Sequence, residues 1–320
     1  MSVPVMLSAA LALGLAFTLL AARPLIAWLS LRSYQQRAYE DAPKTHQAKT
    51  GTPTMGGVLF LAVAVLALSF VRDAEGRALI LLVTGCGAIG ALDDYLGIRH
   101  GKNMGLRART KFLATLIVGV LFLFLLDYDA GFAARDVVFR FGEAVIVWPH
   151  WWWYTLSLCV ILATTHAVNL TDGLDGLATG SVIPPVLFFM YLAWKTNAVG
   201  VALVAAALAG ACLGFLYYNR HPARVFMGDT GSLALGALIA GSAILTGTDL
   251  LLPLLGGVFA AEALSVIIQV ISYKTTKRRV FRMSPLHHHF ELGGWPETKV
   301  TSRFWAASAL LTLAGLTIVR

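Results

Sequence analysis

Apolar segments of nearly twenty residues or more recur along this whole chain, and a bilayer core about 30 Å thick is crossed by a helix of about 20 such residues. They fall at approximately 3–31, 53–71, 77–92, 110–127, 152–170, 176–194, 198–217, 231–247, 250–272 and 302–319. Segments of this kind predict helices, because a lipid-spanning segment has to satisfy its backbone polar groups internally. Of 320 residues, 58% are hydrophobic and 13% charged, against roughly 25% charged in soluble domains. The expected fold class is an all-α polytopic membrane protein of about ten transmembrane helices. The first segment is too long for the apolar core of a cleavable signal peptide and is expected to be a true span. No hydrophilic stretch is large enough to fold alone, so residues 1–320 are expected to form one integral membrane domain.

Basic residues orient the bundle, since Lys and Arg concentrate in cytoplasmic loops. Arg32, Arg37, Lys44 and Lys49 follow the first span; Arg99, Lys102, Arg107, Arg109 and Lys111 follow the third. Arg220 and Arg224 follow the seventh, and Lys274, Lys277, Arg278, Arg279, Arg282, Lys299 and Arg303 the ninth. These loops are expected in the cytoplasm, with both termini outside. The net charge of +8 therefore reflects topology and anionic headgroups, and nucleic acid is disfavoured as a partner.

Smaller features follow from the same frame. "VVFRFGEAVIV" (137–147) predicts a short external β-hairpin between the fourth and fifth helices, and Trp148, Trp151, Trp152 and Trp153 beside it an interfacial aromatic belt. "GLATG" and "GACLG" permit close helix approach. Pro253 and Gly256-Gly257 predict a kinked ninth helix. Cys86, Cys159 and Cys212 lie within spans at no metal or disulfide spacing and are expected to pack.

The 17 acidic residues separate by position. Most occupy loops, but Asp93, Asp94, Asp172, Asp175, Asp229 and Glu262 sit at or inside span edges, and all except Glu262 lie at cytoplasmic ends. An ionisable group at mid-bilayer costs about 2.5–3.5 kcal/mol on insertion scales, so such groups point to function. One helix-end Asp would only mark a water boundary; five on one face indicate a site. "NLTDGLDGLATG" places Asp172 and Asp175 three residues apart, one helical face, after Asn169. "NRHPARVFMGDTGSLALG" places Asp229 at a helix mouth, where backbone N–H groups favour anions. Carboxylates beside an anion-friendly backbone suggest a divalent cation shared with phosphate, and Mg²⁺, held by one or two carboxylates plus water and substrate phosphate, suits them best. Zinc is less suited: His287, His288 and His289 in "SPLHHHFELGGWPE" point in different directions and have no cysteine nearby. Phosphate or uracil contacts are expected of them, with packing for at least one. No P-loop, GxGxxG or GxSxG stands in a suitable context, which disfavours ATP hydrolysis and dinucleotide redox chemistry.

Together "GTPTMGG", "ALDDYLGI", "NLTDGLDGLA", "FMGDTGSLALG" and "SPLHHHFELGGWPE" closely resemble the phospho-N-acetylmuramoyl-pentapeptide-transferases, a branch of the polyprenyl-phosphate N-acetylhexosamine 1-phosphate transferases. The resemblance runs from about Ala42 to Trp305, and the His-rich loop selects this branch over the GlcNAc-phosphate branch. It implies transfer of phospho-MurNAc-pentapeptide from UDP-MurNAc-pentapeptide to undecaprenyl phosphate, releasing UMP, with Mg²⁺, at the cytoplasmic face of the inner membrane. It also implies a homodimer in membrane lipid. Asp93, Asp94 and Asp229 match the catalytic acidic residues, with His288 beside them. Asp229 is the favoured Mg²⁺ ligand, Asp94 part of the metal or cation network, and Asp93 the group that orients or deprotonates the lipid phosphate. Lys49, Asn169, Asp172, Asp175, Asn219, Phe226, Gln269 and His288 match positions lining the nucleotide pocket, with His287 and His289 added as substrate contacts. Lys111 is placed to attract the lipid phosphate, and Glu262 to act as a structural or gating hydrogen-bond partner. His166 stands where many relatives carry Asn, and Gly97 where a basic residue is common, so a phosphate contact there moves to Arg99 or Lys102. Two rivals remain: a sister transferase using UDP-GlcNAc, and a secondary transporter, which predicts inverted repeats and mid-bilayer acids.

Overall fold

Why the long apolar runs become one bundle is visible where their glycines meet. In the structure, a computed structural model, residues 2–32, 51–100, 105–130, 137–141, 144–148 and 150–319 are described. The first helices are α1 (Val3–Leu31), α2 (Val58–Ala67), α3 (Ala74–His100) and α4 (Ala108–Ala130). Strands β1 (Val137–Phe141) and β2 (Ala144–Trp148) pair antiparallel, Val137 opposite Trp148 and Phe141 opposite Ala144. Helices α5 (His150–Thr171), α6 (Leu177–Lys195), α7 (Val199–Asn219) and α8 (Gly228–Leu245) follow. A 3-10 turn at Asp249–Leu251 then leads to the short α9 (Leu252–Leu255), to α10 (Gly257–Thr276), α11 (Leu286–Glu291) and α12 (Glu297–Ile318).

Eight of these helices, α1, α3 to α8 and α10, are long and apolar enough to cross a membrane, which makes the chain a polytopic membrane protein. The segment 53–71 forms a helix only over the ten residues of α2. That is about 15 Å at 1.5 Å per residue, half a bilayer core. Its first residues are diverted: Gly56 and Gly57 N–H donate to the carbonyls of Phe226 and Met227 at 2.8 and 2.9 Å, and Phe226 N–H donates to Pro53 O at 2.8 Å. The "GTPTMGG" loop is thereby tied to the loop before α8. The last apolar segment lies within α12, which starts at Glu297. Near Pro253 the ninth expected span is broken at Gly256 into α9 and α10.

Lipid tails are as apolar as Leu, so helix association in a membrane rests on close packing. α7 and α8 form the centre, and α8 is buried over 89% of its most apolar stretch. Around α7, a Cβ on Gly14 of α1 would collide with the carbonyl of Ala207, and one on Gly210 with that of Leu11, so backbone lies on backbone. Gly210 and Gly214, the "GACLG" pair, face α1 in this way. Against α8, a Cβ on Gly90 of α3 would collide with Asp229 O and one on Gly57 with Gly231. This contact brings the C-terminal turns of α3 against the first turn of α8. In "GLATG", Gly176 has φ +72° and its carbonyl accepts the Trp305 indole N–H at 3.0 Å, while Gly180 lies against the same ring. Cys86 and Cys212 are buried among these helices, whereas Cys159 is exposed. α10 is the opposite case, buried over only 22% of its apolar stretch, with Leu264, Ile267 and Ile271 exposed.

Candidate active site

A helix N-terminus leaves backbone N–H groups without partners, and α8 carries no side-chain cap of its own. Asp94, from α3, supplies one. Its Oδ1 accepts Asp229 N–H at 3.0 Å, and its Oδ2 accepts Thr230 N–H at 2.9 Å and the Thr230 hydroxyl at 2.6 Å. A carboxylate suits this end of the helix dipole. Gly228, at φ +69°, is required here because a Cβ would run into the Asp94 carboxylate. The anion expected at this helix mouth is therefore present as a side chain of the protein, and both oxygens of Asp94 are committed to α8.

Neighbouring residues on a helix diverge by about 100°, and Asp93 faces elsewhere. Its Oδ1 accepts Leu106 N–H at 2.7 Å, and its Oδ2 lies 3.1 Å from Lys111 Nζ on the first turn of α4. Lys111 also pairs with Asp229 Oδ2. The other oxygen of Asp229 accepts Asn169 Nδ2 at 2.8 Å, and the same amide reaches Ser232 Oγ at 2.9 Å. Four helices thus converge through Asp93, Lys111, Asn169 and Asp229. The Asp229 side chain keeps 24% of its surface exposed, enough for an ion or phosphate oxygen to reach it. Beside this group, one turn before Asn169, His166 stacks on Phe112 with ring centroids 6.1 Å apart.

A second group stands on the loops around α6 and α12. Asp175 is buried; its Oδ2 accepts Ala223 N–H and contacts His221 Nδ1, both at 3.0 Å, and its own N–H donates to Glu297 Oε1 at 2.7 Å. Asp175, His221 and Glu297 hold their donor atoms within 4.8 Å of one another. Neither His221 nor Glu297 stands out in the sequence, because only the fold brings "NRHPAR" and "GWPE" beside "GLDG". Asn219 is spent on the same loop: Oδ1 accepts the Thr179 hydroxyl at 2.7 Å and Nδ2 donates to Val225 O at 2.9 Å. Phe226 follows, partly exposed, its backbone held by the 53–57 loop. Asp172 ends the turn after α5, its N–H donating to Asn169 O at 3.2 Å.

The His-rich loop docks on α10. His287, 1% exposed, donates its backbone N–H and Nδ1–H to Glu262 Oε1, both at 3.1 Å, and its Nε2 lies against Gly173, where a Cβ would collide with the ring. The packing expected of one of the three histidines thus falls on His287, and Glu262 is its structural partner. His288 Nδ1 lies 2.9 Å from Glu291, and His289 Nδ1 accepts Arg282 N–H at 3.1 Å. Gln269 accepts Val280 and Phe281 N–H at 3.0 and 2.9 Å and donates to Phe281 O at 3.0 Å, which ties α10 to the loop. Lys49 and Lys102 lie outside the described residues. Glu262→Ala is expected to leave His287 donors buried and unpaired, lowering stability by about 1–3 kcal/mol; a fall in the thermal unfolding midpoint of the purified protein checks it.

Comparison with known proteins adds to this geometry. Residues 77–247 match the family described as Glycosyl transferase family 4, and residues 49–61 match Phospho-N-acetylmuramoyl-pentapeptide-transferase signature 1. The phospho-N-acetylmuramoyl-pentapeptide-transferase of Desulforamulus reducens is 47% identical over 315 residues, 96% of this chain and 94% of that protein. That of Heliobacterium modesticaldum is 49% identical over 299 residues, 91% of each. That of Bacillus subtilis is 43% identical over 317 residues, 96% of this chain and 95% of its own.

Proposed function

This chain belongs to the phospho-N-acetylmuramoyl-pentapeptide-transferase family, and from that premise we propose the following reaction. The enzyme makes lipid I for peptidoglycan: an oxygen of undecaprenyl phosphate attacks the phosphorus of UDP-MurNAc-pentapeptide that bears the sugar. The P–O bond to UMP breaks, and UMP leaves with the bridging oxygen. Both termini face outward, the strands β1 and β2 lie on that outer side, and ten membrane-crossing segments in a single domain, the eight long apolar helices with the segments that hold α2 and α12, bring the site to the cytoplasmic face of the inner membrane. Two such chains form the homodimer.

The observation that carries this reading is the convergence of Asp93, Lys111, Asn169 and Asp229 from four helices. Phosphoryl transfer needs positioning and neutralised oxygen charge more than covalent help from the protein. A divalent cation fits these residues, because the Lys111 ammonium between the two carboxylates marks a place that favours positive charge and Mg²⁺ takes few protein ligands. Bound there, Mg²⁺ neutralises charge on the diphosphate oxygens. Asp229 is the ligand, Asn169 fixes its carboxylate, and Asp94 fixes its backbone. Asp93 orients the acceptor phosphate and Lys111 attracts it. Phe226 stacks on uracil, Asn219 and Gln269 hold the loops that shape the nucleotide pocket, and Lys49, Asp172, Asp175, His288 and His289 line it, with His288 nearest the diphosphate and His287 packed behind them on Glu262.

Purified protein, undecaprenyl phosphate and Mg²⁺ incubated separately with UDP-MurNAc-pentapeptide and UDP-GlcNAc test the assignment. Lipid-linked product and UMP are expected from the first donor. Turnover of UDP-GlcNAc alone would move the enzyme to the sister branch.

A further inference from the structure

Lys111 occupies the position a metal would need. Asp229 Oδ1 is held by Asn169, so Oδ2 is the oxygen left for a ligand, and Lys111 already pairs with it. The same ammonium lies 3.1 Å from Asp93 Oδ2. The carboxylates cannot retreat: Asp94 pins Asp229 through its backbone, and Leu106 N–H holds Asp93. A divalent cation arriving at Asp229 Oδ2 meets an ammonium at contact distance, where like charges repel strongly. The mobile partner is the lysine, a compact point charge on a flexible four-carbon stem.

We propose that Lys111 is a place-holding cation: the divalent metal displaces it from Asp229, and the freed ammonium then binds the acceptor phosphate. This rests on the reading of Asp229 as the metal ligand. Metal and acceptor phosphate accordingly help each other to bind, since each completes an exchange that the other favours, and the coupling is reciprocal. Before loading, the lysine keeps two carboxylates from facing each other without a counter-charge.

The test is Mn²⁺ binding to the full-length protein in detergent, followed by electron paramagnetic resonance without nucleotide or lipid. Lys111→Met and Lys111→Gln are expected to bind Mn²⁺ about tenfold tighter than the wild type, within the usual span of coupling between sites. Lys111→Arg, which keeps the charge, stays close to the wild type. Arg107→Met, which removes a neighbouring charge outside the ion pair, shifts affinity by no more than about twofold. Undecaprenyl phosphate is expected to tighten Mn²⁺ binding more in the wild type than in Lys111→Met. Gel filtration establishes which variants fold, and either neutral variant suffices. Unchanged or weaker Mn²⁺ binding in the folded neutral variants overturns the exchange, as does an equal gain in Arg107→Met. If Asp229→Asn binds Mn²⁺ like the wild type, the metal-ligand reading itself fails, a distinct result.

Discussion

Asp229→Asn is expected to lower turnover by about a thousandfold, about 4 kcal/mol of transition-state stabilisation, while the protein remains folded. The substitution is nearly isosteric. Its amide oxygen can still accept from Asn169, as Asp229 Oδ1 does at 2.8 Å. The amide nitrogen, however, is turned towards Lys111, a donor facing an ammonium where an ion pair stood, and the anionic oxygen proposed to bind the metal is gone. The backbone N–H that Asp94 accepts is unaffected, so the helix start survives. Rate at saturating substrates, measured beside the unfolding temperature, separates the effects. A variant within tenfold of wild-type turnover would remove Asp229 from the centre of the reaction.

Asp94→Ala should fail in a different way, losing stability and activity together. It strips three acceptor contacts from the first turn of α8. Loss of a cap costs about 0.5–2 kcal/mol and a hydrogen bond to a charged group about 1.5–3 kcal/mol; the contributions overlap, and a loss of about 3 kcal/mol is expected. Asp229 is in that first turn, so its carboxylate loses register with Lys111 and Asn169. The measurement is paired: unfolding midpoint and turnover for Asp94→Ala and Asp94→Asn. The Asn variant keeps one carbonyl acceptor and should recover part of the midpoint. Full stability in Asp94→Ala would show that the cap is supplied elsewhere.

These two aspartates also show what a sequence can and cannot disclose. Their adjacency at the end of an apolar run announces a site, since charge at such a place needs a reason, and helix geometry requires that they face different ways. Which one meets α8 is decided by backbone contacts of Gly90 with Asp229 and Gly57 with Gly231, and those depend on the whole bundle. The apolar spans were legible because length and hydropathy are local properties. The shortening of α2 was not, because it follows from pairing of residues 53–57 with 226–227, some 170 positions away. Asp175 stood out in the sequence as a carboxylate at a span edge, but its partners His221 and Glu297 come from segments with no shared pattern. For Asn219 and Gln269 the motif located the residues, while only the structure reveals that both amides are already engaged by loop backbone.

That engagement bears on inhibitor chemistry. An inhibitor that turns either amide away from its loop breaks its bonds to Val225, Val280 or Phe281, and orphaning such a backbone group costs about 1–3 kcal/mol. On the proposed reading of the site, affinity is more readily gained on the face of Phe226 and at the carboxylate oxygen of Asp229 that Lys111 covers. The two amides act as hinge pins of the loops they hold, and compounds that leave them in place keep those loops as they are.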